Sequence, residues 1–218
     1  MSTPEVLDRS GGLWVVSKPA GWVVHPTGDP TQEDLLAWAQ SLGAPATIAP
    51  LHRLDRETSG VVLLAENPQN HYDLLKGFER GEVKKTYLAL VVGHPRPQGT
   101  INKMLDDDRR GKKLEASTSY VTLETFERCA LLEVSPTTGR KHQIRRHLHG
   151  IGFPILGDNR YRPRKRINIP GFPGRLWLHA ARLEWGDLSY EAPLPQTLLE
   201  HLEYLRSVLP ENSATTVT

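Results

Sequence analysis

The sequence predicts an α+β fold, a mainly antiparallel mixed sheet flanked by helices and loops. Three observations carry this. Segments with strand character outnumber those with helical periodicity, the two kinds do not alternate regularly, and no linker-like stretch separates two folding units. The expectation is a single domain over residues 1–211, followed by a disordered tail at 212–218.

Residues 13–17 and 22–24 read as short strands around the turn Lys18-Pro19-Ala20-Gly21. Thr31, with Asp34 three residues on, resembles an N-cap. Leu35, Leu36, Ala39 and Leu42 follow at helical spacing, and Gly43 ends that helix. After a loop over 51–60, residues 61–65 form a continuous apolar run, which predicts a buried strand. Pro68 fits a helix start, and that helix runs to Arg80 before Gly81. Residues 86–92, 118–126 and 130–135 read as strands, and 140–149 as a helix stopped by Gly150 and Gly152. Residues 163–173 form a long, basic loop containing Pro and Gly, better read as functional than as a domain boundary. A strand over 176–185 precedes an amphipathic helix over 197–208, with Leu198, Leu199, Leu202 and Leu205 on one stripe.

A hydrophobic content of 38% with 24% charged residues is ordinary for a soluble globular chain, and no apolar run is long enough for a transmembrane helix. Glu5 and Asp8 stand where a secretion signal would need an apolar core. The one cysteine, Cys129, forms no internal disulfide and leaves zinc spacings without ligands, so the expectations are no metal and a reduced, cytoplasmic setting. With no evident apolar interface stripe, a monomer is expected. Net charge is only +2, but its distribution is uneven. Between residues 140 and 182 there are eleven Lys and Arg against one acid, Asp158, while the rest of the chain carries sixteen bases and twenty-four acids. Such a segment reads as a footprint for anions, with a merely solvated basic face as the alternative.

Four clusters could carry chemistry: residues 18–21, 52–60, 84–87 and 139–147. Asp55 lies between Arg53 and Arg56 in a loop that feeds an apolar strand. Cationic neighbours would keep it ionised, as a nucleophile requires. Taken alone, the pattern is better explained by a turn aspartate in a surface ion pair. Arg140 and Lys141 would crowd a helix N-terminus, and Lys141 and Arg145 would stack like charges four residues apart, so an anionic partner is implied. His142 and His147, five apart, fit structural or RNA-contacting roles better than metal ligation. Tyr87 is by default a core aromatic, although after Lys84 and Lys85 it could stack on a base while the lysines meet phosphate.

Together, the clusters resemble the RluA-type pseudouridine synthase family in order and spacing across residues 12–185. The family's His-Arg-Leu-Asp-x-x-Thr-Ser-Gly motif is complete at 52–60, Arg-x-His-Gln-[Leu/Ile]-Arg at 140–145, and Pro-Ile-Leu-Gly-Asp at 154–158. Residues 140–147 and 21–25 are most similar to the tRNA-acting TruC branch. The resemblance implies a pseudouridine-synthase-like catalytic domain that isomerises uridine in tRNA or rRNA, with base flipping and no cofactor. It implies Asp55 as the catalytic aspartate, Tyr87 as the aromatic that stacks on uracil and takes part in proton transfer, and Arg145 as the ion-pair partner of Asp55. Arg53 would fill the space left by the flipped nucleotide. Arg56, Lys84, Lys85, Arg140, Lys141, His142, Gln143 and Arg146 would join it in RNA contact. The motifs begin too early for the N-terminal S4-like domain of larger relatives, and the stretch 162–173 departs from shorter ones. Two other readings compete: a catalytically silent RNA-binding module of the same fold, and a hydrolase pairing Asp55 with Asp158. Asp158, after Gly157, is more simply a turn residue.

Overall fold

The computed structural model describes residues 2–107, 111–163 and 167–208; the expected tail at 212–218 and part of the basic loop lie outside them. In chain order the elements are β1 (Glu5–Ser10), β2 (Leu13–Lys18), α1 (Leu35–Ser41), β3 (Ala49–Pro50), β4 (Ser59–Ala65), a 3₁₀ turn (Pro68–His71) leading into α2 (Tyr72–Arg80), and β5 (Lys84–Val92). There follow β6 (Gln98–Asn102), β7 (Leu105–Asp107), β8 (Lys112–Leu114), β9 (Ser117–Thr125), β10 (Cys129–Pro136), α3 (Gln143–Gly150), β11 (Leu178–Trp185), β12 (Leu188–Glu191) and α4 (Gln196–Ser207). The α+β class and the mostly antiparallel, mixed strand pairing are as the sequence predicts. No helix among the described residues is long and apolar enough to cross a membrane.

The chain forms two compact units, one from the residues up to Thr86 with His179–Pro193, the other from Tyr87–Leu178 with the chain from Leu194 on. In the first unit the strand order is β1-β2-β4-β11, with β3 added to β4 and β12 to β11. Pairing is antiparallel except between β4 and β11, which run parallel with His179 opposite Ser59. Every residue of β4 is buried, which is why its sequence lacks the alternation of a half-exposed strand. Leu13, Val15, Val61, Leu63, Leu74 and Leu183 belong to this unit's core. Gly81 closes α2 at φ 75, in the left-handed region where glycine is at ease.

The second unit is the antiparallel array β5-β10-β9-β6, with β7 and β8 as a separate hairpin. Its core gathers Leu90, Leu132, Val134 and Trp177 with Ile144 and Leu148 of α3 and Leu198, Leu202 and Leu205 of α4. Three leucines of the stripe read from the sequence, Leu198, Leu202 and Leu205, lie with His201 on the buried face of α4, while Leu199 is half-buried.

Three local expectations are corrected. Residues 22–24 are not a strand. The Lys18 ammonium takes the Trp22 carbonyl at 2.8 Å, and Val23 makes only an isolated bridge to Asp34. The N-cap of α1 is Asp34, whose carboxylate accepts the Ala37 N–H at 2.9 Å, while Thr31 bonds Asp29 instead. Finally, α3 begins at Gln143, so Arg140 and Lys141 precede the helix and do not crowd its first turn. Arg145 is turned inward at 2% exposure and does not stack on Lys141.

Candidate functional site

In the first unit, the loop bearing Asp55 is anchored at its start by backbone and ring contacts. The Leu51 N–H bonds the Leu63 carbonyl at 2.9 Å, and His52 Nε2 accepts the Leu63 N–H at 3.1 Å. The His52 ring stacks on Phe78 with centroids 4.6 Å apart. Burial, with help from the Lys85 ammonium, pushes His52 down to about 3, so the ring stays neutral and can accept. At the tip, the Asp55 carbonyl accepts the Thr58 N–H at 3.0 Å and closes a turn. Asp55 is half-buried, Arg53 and Arg56 are exposed, and Leu54 is buried beneath them. The Thr58 hydroxyl is buried and bonds no group among the described residues.

Lys18 is the clamp of this loop. It is fully buried, and its ammonium donates to the carbonyls of Pro19 at 2.9 Å, Trp22 at 2.8 Å and Arg56 at 3.2 Å. A buried cation is tolerated only when its donors are satisfied, and here they tie the turn at 18–21 to the residue after Asp55. The Gly21 N–H bonds the same Arg56 carbonyl at 2.8 Å. Lys84 is exposed at the start of β5, and Lys85 is half-buried, with its ammonium lowered by that burial.

In the second unit, Arg145 grips Asp158 with two parallel bonds, Nε to Oδ2 at 2.7 Å and Nη2 to Oδ1 at 2.9 Å. Asp158 Oδ1 also accepts the N–H groups of Arg160 and Tyr161, both at 2.8 Å. Burial alone would raise this carboxyl. The Arg145 guanidinium and the two backbone donors outweigh it and hold Asp158 below the ordinary carboxylate range. Asp158 is thus both a turn residue and the anchor of Arg145, and this engagement removes it as the second carboxylate of a hydrolase. The Arg145 guanidinium lies 5.5 Å from the Tyr161 ring centroid, and the Tyr161 hydroxyl is 3.1 Å from His142 Nδ1. His142 is the one non-glycine among the described residues with positive φ, at 54°.

Gln143 is buried, and its amide is fully used inside the protein. Nε2 donates to the Ser117 carbonyl and to Thr118 Oγ1, and Oε1 accepts the Arg140 N–H and the Thr138 hydroxyl. It holds the turn before α3. His147 continues the network. Nε2 faces the Lys103 carbonyl at 3.0 Å and must donate, so Nδ1 accepts the Thr118 hydroxyl at 2.9 Å. Arg140 and Lys141 remain exposed, with Arg140 Nε bound to the Glu115 carbonyl, and Arg146 bonds the Asp106 carbonyl at 3.0 Å. Tyr87 is half-buried and packs against this unit's core.

The two units therefore divide the expected site residues: Asp55, Arg53, Arg56, Lys84 and Lys85 fall in the first, and Tyr87, Arg145 and the 140–146 group in the second. Among the described residues no three His, Cys, Asp or Glu side chains cluster as a metal site requires. A cavity of about 440 Å³ in the first unit, lined by Leu13, His71, Tyr72 and Trp185 among others, shares no residue with the Asp55 loop.

His52, His147 and His201 all lie below their ordinary values, chiefly through burial. His201 accepts the Trp177 indole N–H at Nδ1 and donates from Nε2 to the Pro170 carbonyl, so it too is neutral. The unfolded chain takes up these protons near pH 6.5 and the folded one does not. Their contribution to stability is complete above that value and is lost as pH falls below it, for His52 down to about 3. Melting temperature should drop between about pH 7.5 and about pH 5, before most carboxylates titrate; a flat profile there would contradict the neutral assignments.

A family model described as RNA pseudouridylate synthase matches residues 12–150. An uncharacterized RNA pseudouridine synthase of Chloroflexus aurantiacus is 38% identical over 205 residues, covering 84% of this chain and 63% of that protein, so the chain spans under two thirds of its length. The tRNA pseudouridine synthase C of Haemophilus ducreyi is 34% identical over 206 residues, covering 83% and 84% respectively. The ribosomal large subunit pseudouridine synthase D of Nitrosomonas europaea is 32% identical over 234 residues, covering 96% and 67%. Among solved structures, Human RNA Pseudouridylate Synthase Domain Containing 4 is similar at TM-score 0.75, with 28% identity and 92% of each chain covered.

Proposed function

The chain belongs to the RNA pseudouridylate synthase family, and on that premise we propose that it isomerises uridine in RNA to pseudouridine with Asp55 as the catalytic carboxylate. The observation that carries this reading is the complete motif at 52–60, mounted on a loop that the buried Lys18 clamps beside Asp55. The reaction breaks the N1–C1′ bond and forms a C5–C1′ bond. The C5 hydrogen leaves to solvent and N1 gains one, so atoms balance without an oxidant or a donor.

In this reading Asp55 attacks the target nucleoside or its sugar-derived intermediate, Tyr87 stacks on the uracil, and Arg145 favours the ionised carboxylate. The flipped base must be shielded while detached, or hydrolysis would leave abasic RNA. Extruding it from a stem costs a few kcal/mol, which stacking and an inserted side chain such as Arg53 can offset. The bidentate bond to Asp158 would hold the Arg145 guanidinium rigid for its task.

The exposed Arg140 and Lys141 are proposed to meet phosphate, which sets register without reading sequence. Binding should therefore weaken steeply with salt. Replacing both by Ala should reduce the slope of log affinity against log salt by roughly 0.7 to 0.9 per lost contact. An unchanged slope would move the RNA path to another face.

The test of function is pseudouridine mapping of tRNA and ribosomal RNA from cells lacking this protein, against the parent. A lost site in tRNA supports the TruC-like assignment, and a lost site in ribosomal RNA supports an rRNA target. No lost site in either would overturn the proposal.

A further inference from the structure

The chain leaving Asp55 enters β4 at Ser59 and Gly60, and this junction is held from a distance. Ser59 and His179 are both buried, at 0% and 1% exposure. They lie opposite each other where β4 and β11 run parallel, although 120 residues separate them. Ser59 Oγ is 3.0 Å from His179 Nδ1, and His179 Nε2 is 3.0 Å from the Ala192 carbonyl. A carbonyl can only accept, so Nε2 carries the hydrogen and Nδ1 accepts from the Ser59 hydroxyl. In the neutral ring the tautomer is thereby determined, and the serine bond has one direction. Beside it, Gly60 adopts φ 131, and a Cβ there would sit 2.2 Å from the Ala180 carbonyl oxygen. The two strands approach so closely that only glycine fits.

We infer that His179 is a positioning residue for the isomerisation: through Ser59 it fixes the exit of the Asp55 loop, as Lys18 fixes it at Arg56. The inference rests on the reading of Asp55 as the catalytic carboxylate. The linkage is short. The Asp55 carbonyl closes a turn onto the Thr58 N–H at 3.0 Å, and Thr58 is bonded directly to Ser59. A shift at Ser59 therefore passes to the Asp55 backbone with little slack. A misplacement on the order of 1 Å is enough to slow chemistry about a hundredfold without altering substrate affinity.

The test uses the full chain and an RNA that the wild type modifies. It compares Ser59→Ala, His179→Gln, His179→Asn and the Ser59→Ala/His179→Gln double variant. Glutamine can reach the Ala192 carbonyl from the Nε2 position but not Ser59, whereas asparagine places an acceptor near Nδ1. Ser59→Ala and His179→Gln should each slow single turnover by about 10- to 100-fold with unchanged RNA affinity. The double variant should be no slower than the worse single one, because both remove the same bond. His179→Asn should recover most of the rate. If Ser59→Ala and His179→Gln lower the melting temperature but turn over at the wild-type rate, the pair is structural only and the inference fails. It fails equally if the double variant shows additive losses, or if His179→Asn is as slow as His179→Gln. Should His179→Gln not fold, Ser59→Ala, which removes one oxygen, decides alone. Retained activity in Asp55→Asn would instead strike the underlying reading, so the two failures are distinguishable.

Discussion

Asp55→Asn is expected to abolish pseudouridine formation while leaving RNA affinity within about twofold of wild type. Several anchors of the loop use groups other than the carboxylate and persist in the variant. The turn uses the Asp55 backbone carbonyl, the clamp uses the Arg56 carbonyl, and the start of the loop is tied through Leu51 and His52. Asparagine keeps the size and removes only the charge and the nucleophile. Loss of a catalytic nucleophile slows turnover by about 10⁴-fold or more. The measurement is single turnover with enzyme in excess, beside a binding titration on the same RNA. A variant that binds and turns over normally would remove Asp55 from the mechanism.

The largest stability effect should come from Asp158→Ala. The Asp158 carboxylate accepts from Arg145 Nε and Nη2 and from the backbone N–H groups of Arg160 and Tyr161, and its side chain is fully buried. Removing it takes the Nε and Nη2 bonds from a guanidinium that is 2% exposed. Breaking a buried pair by deleting one partner costs about 3–5 kcal/mol, because the remaining charge stays desolvated. For a chain of this size that corresponds to a drop of roughly 10 °C in melting temperature. Replacing both partners, Arg145→Met with Asp158→Asn, should recover much of the stability, since no charge is then left buried without its partner and the amide oxygen can still accept the Arg160 and Tyr161 N–H groups. Activity should not return, because the arginine itself is lost. Stability and turnover would then separate in the double variant. A melting temperature within a degree of wild type for Asp158→Ala would contradict the assigned burial of the pair.

Elements defined by their own burial were readable from sequence. The run in β4 is apolar throughout because both faces are covered, and the α4 leucines recur at helical spacing because one face is covered. The Gly81 stop of α2 was readable because a left-handed cap favours one residue type. Elements defined by a neighbour were not. β1 is mostly exposed and polar and owes its conformation to pairing with β2. The strand expected at 22–24 is absent because Lys18 captures the Trp22 carbonyl, which no local propensity encodes. The start of α3 moved to Gln143 because that side chain takes the Arg140 N–H.

The candidate site shows the same division. The roles of Asp55, Tyr87 and Arg145 come from motif resemblance; the neighbourhood pattern alone favours bland roles for Asp55 and Tyr87 and implies only an anionic partner near Arg145. Lys18 as a clamp, Asp158 as an anchor and His179 at the loop exit were missed, because each acts through a partner remote in sequence. One signal was present for Lys18. A lysine closing the apolar run Leu13-Trp14-Val15-Val16 must either reach solvent or bond buried carbonyls, and it does the latter.

The central claim is that this protein moves the uracil attachment from N1 to C5, and the hydrogen at C5 reports on that step directly. RNA carrying tritium at C5 of uridine should be incubated with the purified protein, and released tritium compared with pseudouridine and free uracil in the same sample. Tritium release matched one for one by pseudouridine, with no accumulation of free uracil, is the predicted result. Label retained on RNA in which cellular mapping has located the target, or uracil released in place of pseudouridine, would contradict it.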